Sequence, residues 1–281
     1  MTVDIEALLR QALDLGEEGN WEGMARELSQ TLELDPDNPS ILCWIGVAEQ
    51  ELGAPGRAYE RFREALAQDP EDAFILATVG NGLAQFDDPD AEGALRTASI
   101  LAPDLPLARL LFGAYLSREG LFEDSMRELT AAAKLDPDDP TIAYEIGVTL
   151  TLEGRKEEAL GPLTRSVDLD PGEGWGQVVL GLVEADLGLL EEGSRDISGG
   201  ARLRPFDFEA QLLAALAAAA VGWEDLAYEM LERGRMVAIE GDQLLLDMAE
   251  TRIIDGGKGA GDLLTQDLLP RALRERLMQR P

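Results

Sequence analysis

One interval organises this chain. Pro36, Pro70, Pro103, Pro137, Pro171 and Pro205 follow one another at 34, 33, 34, 34 and 34 residues. Four of them close the same phrase: Leu34-Asp35-Pro36, Gln68-Asp69-Pro70, Leu135-Asp136-Pro137 and Leu169-Asp170-Pro171. A second column holds Gly46, Gly80, Gly113, Gly147 and Gly181. A third holds Gly19, Gly53, Gly120, Gly154, Gly188 and Gly222, midway along each unit. Three independent columns on one period describe a supersecondary unit repeated in tandem, each copy burying its apolar face against its neighbours.

Each column has a mechanical meaning. The midway glycines follow amphipathic stretches such as 142–153, where a helix end needs a residue at ease with positive φ. The Asp-Pro pairs stand where a second helix must stop, because proline cannot continue a helix and pushes its predecessor out of the helical region. A glycine inside the first helix costs about 1 kcal/mol relative to alanine. Its recurrence at one phase predicts a second helix crossing there at close range. The second helices carry Ala58, Ala65, Ala91, Ala98, Ala132 and Ala159, with Leu28, Phe62, Leu95, Leu129 and Leu163 between them. Small against large predicts interdigitated helical hairpins and an all-α chain.

These columns resemble the tetratricopeptide repeat in period and in small-residue signature. The fifth copy, Ile142-Ala143-Tyr144-Glu145-Ile146-Gly147 through Gly154, Ala159, Leu163 and Asp170-Pro171, is a close match. The first has Ala12 where the family prefers glycine. The third is one residue short and carries Phe86-Asp87-Asp88-Pro89 in place of its midway glycine, so a distorted turn is expected there. The sixth has Gly193 and Gly200 where alanines are usual, and the seventh has Ile239 instead of its closing proline. The resemblance covers residues 4–239 as seven repeats, 4–38, 39–72, 73–105, 106–139, 140–173, 174–207 and 208–239. It implies a right-handed α-solenoid of helix-turn-helix units whose work is binding other proteins, although such a scaffold does not itself specify a function.

Residues 240–281 read as C-terminal capping helices. A helix is expected over 242–254, with Leu245, Met248, Ala249 and Ile253 facing the last repeat. A flexible Gly-rich break follows at 255–261, then a final helix over 262–278 bent at Pro270. Solenoids need caps because a terminal repeat lacks one neighbour. The alternative is that the last helix folds back into the groove as an autoinhibitory plug.

Composition excludes much chemistry. The 281 residues contain no His and a single Cys, which removes histidine general bases, Ser-His-Asp triads, His-ligated metals and internal disulfides together. Cys43 has no nearby cation to activate it and reads as a packed thiol. Lys258 follows glycines but lacks the strand and the Ser/Thr of a phosphate loop. The acidic turns at 136–139 and 168–172 lack the ligand alternation of a calcium loop. No catalytic residue, cofactor or metal site is therefore expected. A formal charge of −31 repels nucleic acid and anionic membranes. The one local basic patch, Arg271, Arg274, Arg276 and Arg280, is expected to dock on the acidic body. The most apolar stretch, 212–221, is half the roughly twenty residues a membrane span needs. With an acidic N-terminal stretch unlike a signal peptide, a cytoplasmic location is expected.

The resemblance implies that first helices line a concave face receiving extended peptides or partner helices. Counting from the in-helix glycine, positions −6, −3 and +1 are expected to face that groove. The candidate partner-binding residues are then Leu9, Leu13, Cys43, Val47, Phe74, Asn81, Leu107, Leu110, Tyr144, Val148, Trp175, Val178 and Leu182. The strip contains no Lys or Arg, so it cannot form the cationic clamp with which some members of that family grip a C-terminal carboxylate. An apolar or amphipathic protein segment, with basic flanks favoured by the acidic exterior, is the expected partner. Burial of the strip between neighbouring helices is the opposing expectation. A chaperone for a secreted or membrane-destined client, and self-association through the C-terminal helix, are the alternative roles.

Overall fold

The computed structural model describes residues 4–281, so the first three residues of the acidic N-terminal stretch lie outside the described residues. The described residues form helices and turns with no strand. Helices pair in sequence order: α1 (Ile5–Glu17) with α2 (Trp21–Leu32), α3 (Pro39–Glu51) with α4 (Pro55–Leu66), and α5 (Ala73–Ala84) with α6 (Ala91–Leu101). The series continues with α7 (Pro106–Arg118) and α8 (Phe122–Leu135), α9 (Pro140–Leu152) and α10 (Lys156–Leu169), α11 (Gly174–Asp186) and α12 (Leu190–Leu203), then α13 (Phe208–Ala220) and α14 (Glu224–Val237). The first helix of each pair is called the A helix below, the second the B helix. These are the all-α helical hairpins expected of a tetratricopeptide solenoid.

A further column starts the A helices. Asp4, Asn38, Asp72, Asp139, Glu173 and Asp207 each accept hydrogen bonds from backbone N–H groups of the first turn. Such caps are worth about 0.5–2 kcal/mol each. Leu105 stands in the column before α7 and supplies no side-chain cap; Pro106 begins that helix instead.

The midway glycines all sit at positive φ, from 71° at Gly53 to 88° at Gly154. The third turn is not distorted but rebuilt. Asp87, at φ 53°, occupies the left-handed position that glycine fills elsewhere. Beside it the buried Asp88 accepts hydrogen bonds from the Tyr59 hydroxyl (2.7 Å), the Arg63 guanidinium (3.2 Å) and the Asp90 N–H (2.9 Å).

The in-helix glycines mark the expected close crossings. A Cβ on Gly46, Gly80, Gly113 or Gly147 would fall 2.6–2.8 Å from Phe62, Leu95, Leu129 or Leu163 on the B helix. In the sixth hairpin the contact is tighter in kind, since a Cβ on Gly181 would lie 2.6 Å from the Gly193 carbonyl oxygen. There α11 and α12 touch backbone to backbone, which is why Gly193 and Gly200 replace alanines.

The chain divides into two compact units. The first runs to Glu119 and takes in Arg127–Leu135 and the last two residues; the second comprises Gly120–Met126 and Asp136–Gln279. In the second unit the hairpin pattern extends one period further. Gly256, 34 residues after Gly222, has φ 105° and links α15 (Gln243–Ile254) to α16 (Gly257–Leu263), both packed on α13. The expected flexible break is thus a turn and a helix. Its glycines permit close approach, because a Cβ on Gly257 would lie 2.7 Å from the Ala219 carbonyl oxygen. The expected bend at Pro270 is a π-helical turn, Leu264–Leu268, leading into α17 (Leu269–Leu277). The Leu269 N–H reaches back five residues to the Leu264 carbonyl, an adjustment that accommodates a proline ring and its missing donor. No described helix is long and apolar enough to cross a membrane.

Candidate partner-binding face

The A helices bring the expected groove residues together in two sets, one per unit. In the first unit Leu9, Leu13, Val47, Asn81 and Leu107 are half-buried, and Phe74 is 37% exposed. Cys43 and Leu110 are buried instead. Cys43 packs among Ala58, Phe62 and Ile75, and burial, reinforced by the charge of Asp72, pushes its thiol pKa up, which keeps it protonated and inert. The −3 position of α3 therefore points into the hairpin packing. The accessible aromatic on α3 is its neighbour Trp44, whose ring centroid lies 5.7 Å from that of Phe74. The phase count from glycine missed Trp44 by one residue. The Asn81 side-chain amide donates to the Pro281 carbonyl, and Arg280 pairs with Glu119 at 3.1 Å while standing 4.9 Å from the Tyr115 ring centroid.

In the second unit Tyr144 and Trp175 are half-buried, whereas Val148, Val178 and Leu182 are buried. The last three share one core with Leu269, Ala272, Leu273 and Leu277 of α17. That helix packs on α11, and Arg276 carries the contact to its A-helix face. The Arg276 guanidinium carbon sits 3.3 Å from the Trp175 ring centroid and its nitrogen pairs with Glu209. Glu209 stands 34 residues after Trp175, at the same repeat position on α13. Trp175 is held from behind, its indole N–H donating to Asp207 at 3.1 Å. A cation over an indole is worth about 0.5–2 kcal/mol, the upper end applying where water is excluded. A cleft beside the contact is lined by Phe208, Leu212, Leu245 and Leu268, with Arg271 and Glu275 at its rim.

Of the C-terminal arginines, Arg276 and Arg280 pair with acidic groups of the repeats, while Arg271 pairs with Glu275 of its own helix. In the C-terminal region α15 and α16 pack on α13, and α17 packs on α11. Among the described residues no three Asp, Glu, Cys or His side chains gather where they could hold a metal ion.

The family model of the tetratricopeptide repeat matches residues 9–73 and 110–174, which include the crossings at Gly46, Gly113 and Gly147. The matched stretches are tetratricopeptide repeats, and the fold is that of a tetratricopeptide solenoid. No curated protein sequence matches it. Among solved structures, the Cut9–Hcn1 hetero-tetramer of the APC/C is similar with a TM-score of 0.70 and 16% identity, over 86% of this chain and 48% of that one. The Pseudomonas aeruginosa pilF structure is similar with a TM-score of 0.57 and 22% identity, over 74% of this chain and 95% of that one. A thermophilic TPR protein of Thermus thermophilus gives 0.50 and 20%, over 60% and 92%. At these identities the likeness concerns the fold. A tetratricopeptide-repeat fold is a protein-interaction scaffold, and that much of the function comes with the family.

Proposed function

We propose that this chain is a non-catalytic adaptor that holds a partner segment against its A helices. The observation that supports it most is the accessible apolar stripe of the first unit, where Phe74 stands beside Trp44 with Leu9, Leu13 and Val47 half-buried nearby. Apolar area left at one face of stacked helices suits an amphipathic helix or an extended apolar peptide. The surrounding acidity favours partners with basic flanks and acts mainly on encounter rate, while buried aromatic anchors set the lifetime of the complex.

The test is affinity capture with the unmodified chain and with a Leu9→Asp/Phe74→Asp variant, whose fold is checked by circular dichroism. A partner held by the first and lost from the second supports the reading. Equal capture by both removes it. A captured protein that is insoluble alone would make the role that of a chaperone, and mass rising with concentration would make it self-assembly.

A further inference from the structure

The second unit carries a segment that behaves like a ligand. α17 presents Leu269, Leu273 and Leu277 at four-residue spacing with Ala272 beside them, and all four are buried. Arg276 lies on the same side, one residue before the last leucine, over Trp175 and paired with Glu209. The opposite side is solvent-exposed through Pro270, Arg271, Arg274 and Glu275. This is an amphipathic helix laid on a face, with no B helix of its own to form a hairpin.

Its attachment differs from that of the repeats. α9 to α14 are 13–14 residues long, are locked pairwise at glycine crossings or alanine-rich faces, and bury residues along their whole length. α17 has nine residues, follows a π-helical turn, and holds on through four apolar side chains and one arginine. α17 runs on from α16 through the π-helical turn, but nine residues beyond that irregular turn are too few to hold a helix in water by themselves, so docking sustains its helical state. The arginine site is specific in kind. A flat guanidinium can lie on the indole and pair with a carboxylate at once, which an ammonium on a flexible stem does less well. Asp207 fixes the indole and Glu209 fixes the charge.

We infer that the α11–α13 face is a receptor for an amphipathic helix of pattern Leu-x-x-Ala-Leu-x-x-Arg-Leu, and that residues 269–277 occupy it in cis until a partner helix of the same chemistry displaces them. This rests on the A-helix reading of function above and adds the partner's chemistry and a built-in competitor. Trp175 and Glu209 read the arginine, and the leucine-lined core reads the spacing. Acidic helices are rejected by Glu209 and by the charge of the whole chain.

The experiment uses the full-length chain with its own helix undocked by Leu273→Asp, titrated with a fluorescent synthetic peptide of residues 262–281. The peptide is expected to bind this variant at least tenfold more tightly than the unmodified chain, which must first release its own segment. A peptide carrying Arg276→Glu is expected to lose at least tenfold, and a further Glu209→Arg change in the chain to restore it. The inference is overturned if the peptide fails to bind the folded variant, binds both chains equally, or is indifferent to Arg276→Glu. Should Leu273→Asp unfold the chain, hydrogen exchange on the unmodified protein decides. Amides of 269–277 are expected to exchange at least a hundredfold faster than those of α11 and α13. Equal rates would make α17 a permanent part of the core and end the proposal. A concentration-dependent dimer abolished by Arg276→Glu would overturn the cis arrangement and name a second copy as occupant. If the peptide fails while Leu9→Asp/Phe74→Asp still abolishes partner capture, the adaptor reading stands and only this inference falls.

Discussion

Phe74 and Trp175 occupy the same place in their repeats, six residues before the in-helix glycines Gly80 and Gly181. In the first unit Phe74 is 37% exposed, with Trp44 as its ring partner. In the second unit Trp175 lies under Arg276, with α17 spread over the residues that follow it. The hairpins behind them differ as well. Gly80 faces the Leu95 side chain, whereas Gly181 faces the backbone of Gly193 and Ile197. The same repeat position can therefore be left accessible or be covered by the chain itself. Which one it is depends on segments outside the repeat.

The sharpest way to break the comparison is at the crossings. Gly181→Val would drive a side chain into backbone that cannot move aside, and a loss of more than about 3 kcal/mol is expected. Gly80→Val meets the branch of a leucine that can shift, for about 1–3 kcal/mol. Urea melts measure both, and equal losses would dissolve the distinction between the two hairpins.

A smaller effect separates the faces. Arg276→Glu removes the contact over Trp175 and sets two carboxylates together, for an expected cost of about 1–3 kcal/mol read in α17 by hydrogen exchange. Phe74→Asp changes an accessible position and is expected to stay within about 0.5 kcal/mol. A large loss at Phe74 would mean that the first face is structural rather than open.

The smallest expected effect is in pH, and its sign differs between the units. Burial, with the Asp196 carboxyl hydrogen-bonded beside it and Glu192 near, raises Glu184 from 4.5 to about 7. The folded state holds that proton where the unfolded chain has lost it, so this contribution falls as pH rises from about 4.5 to about 7. Asp88 in the first unit is the reverse. Its burial pulls the pKa upward, but the Asp90 N–H, the Tyr59 hydroxyl and Arg63 outweigh it and hold the carboxyl below its usual value. That contribution is present above the ordinary carboxylate range and is lost as pH falls below about 4. Glu184→Gln should flatten the first slope and Asp88→Asn the second, measured as urea midpoints across the pH range. A Glu184→Gln slope identical to that of the unmodified chain would show that the carboxyl pair does not govern it.

Much of this protein was legible before any coordinates. The period, the positive-φ turns at Gly19 through Gly222, and the partners Phe62, Leu95, Leu129 and Leu163 across from their glycines all follow from one-dimensional spacing. Hydrogen-bonded turns and helix crossings impose residue types at fixed separations. The third turn was not legible in this way: a distorted turn was expected at Phe86-Asp87-Asp88-Pro89, and Asp87 instead takes the left-handed conformation, which aspartate tolerates.

What spacing left open was which side of an A helix remains accessible. Neighbouring residues on a helix differ by about 100° around its axis. The choice between Cys43 and Trp44 as the outward residue therefore rests on where the next hairpin presses, and only the packed structure settles that. The fate of residues 255–277 was hidden for a related reason. Glycines that read as a break are spacers for α16 against Ala219, and four arginines that read as a patch include one, Arg276, that fits a single indole and a single carboxylate. Local pattern specifies elements that repeat, since each copy meets the same neighbours. A segment that occurs once takes its conformation and its partner from contacts distant in sequence, and those exist only after the repeats have stacked.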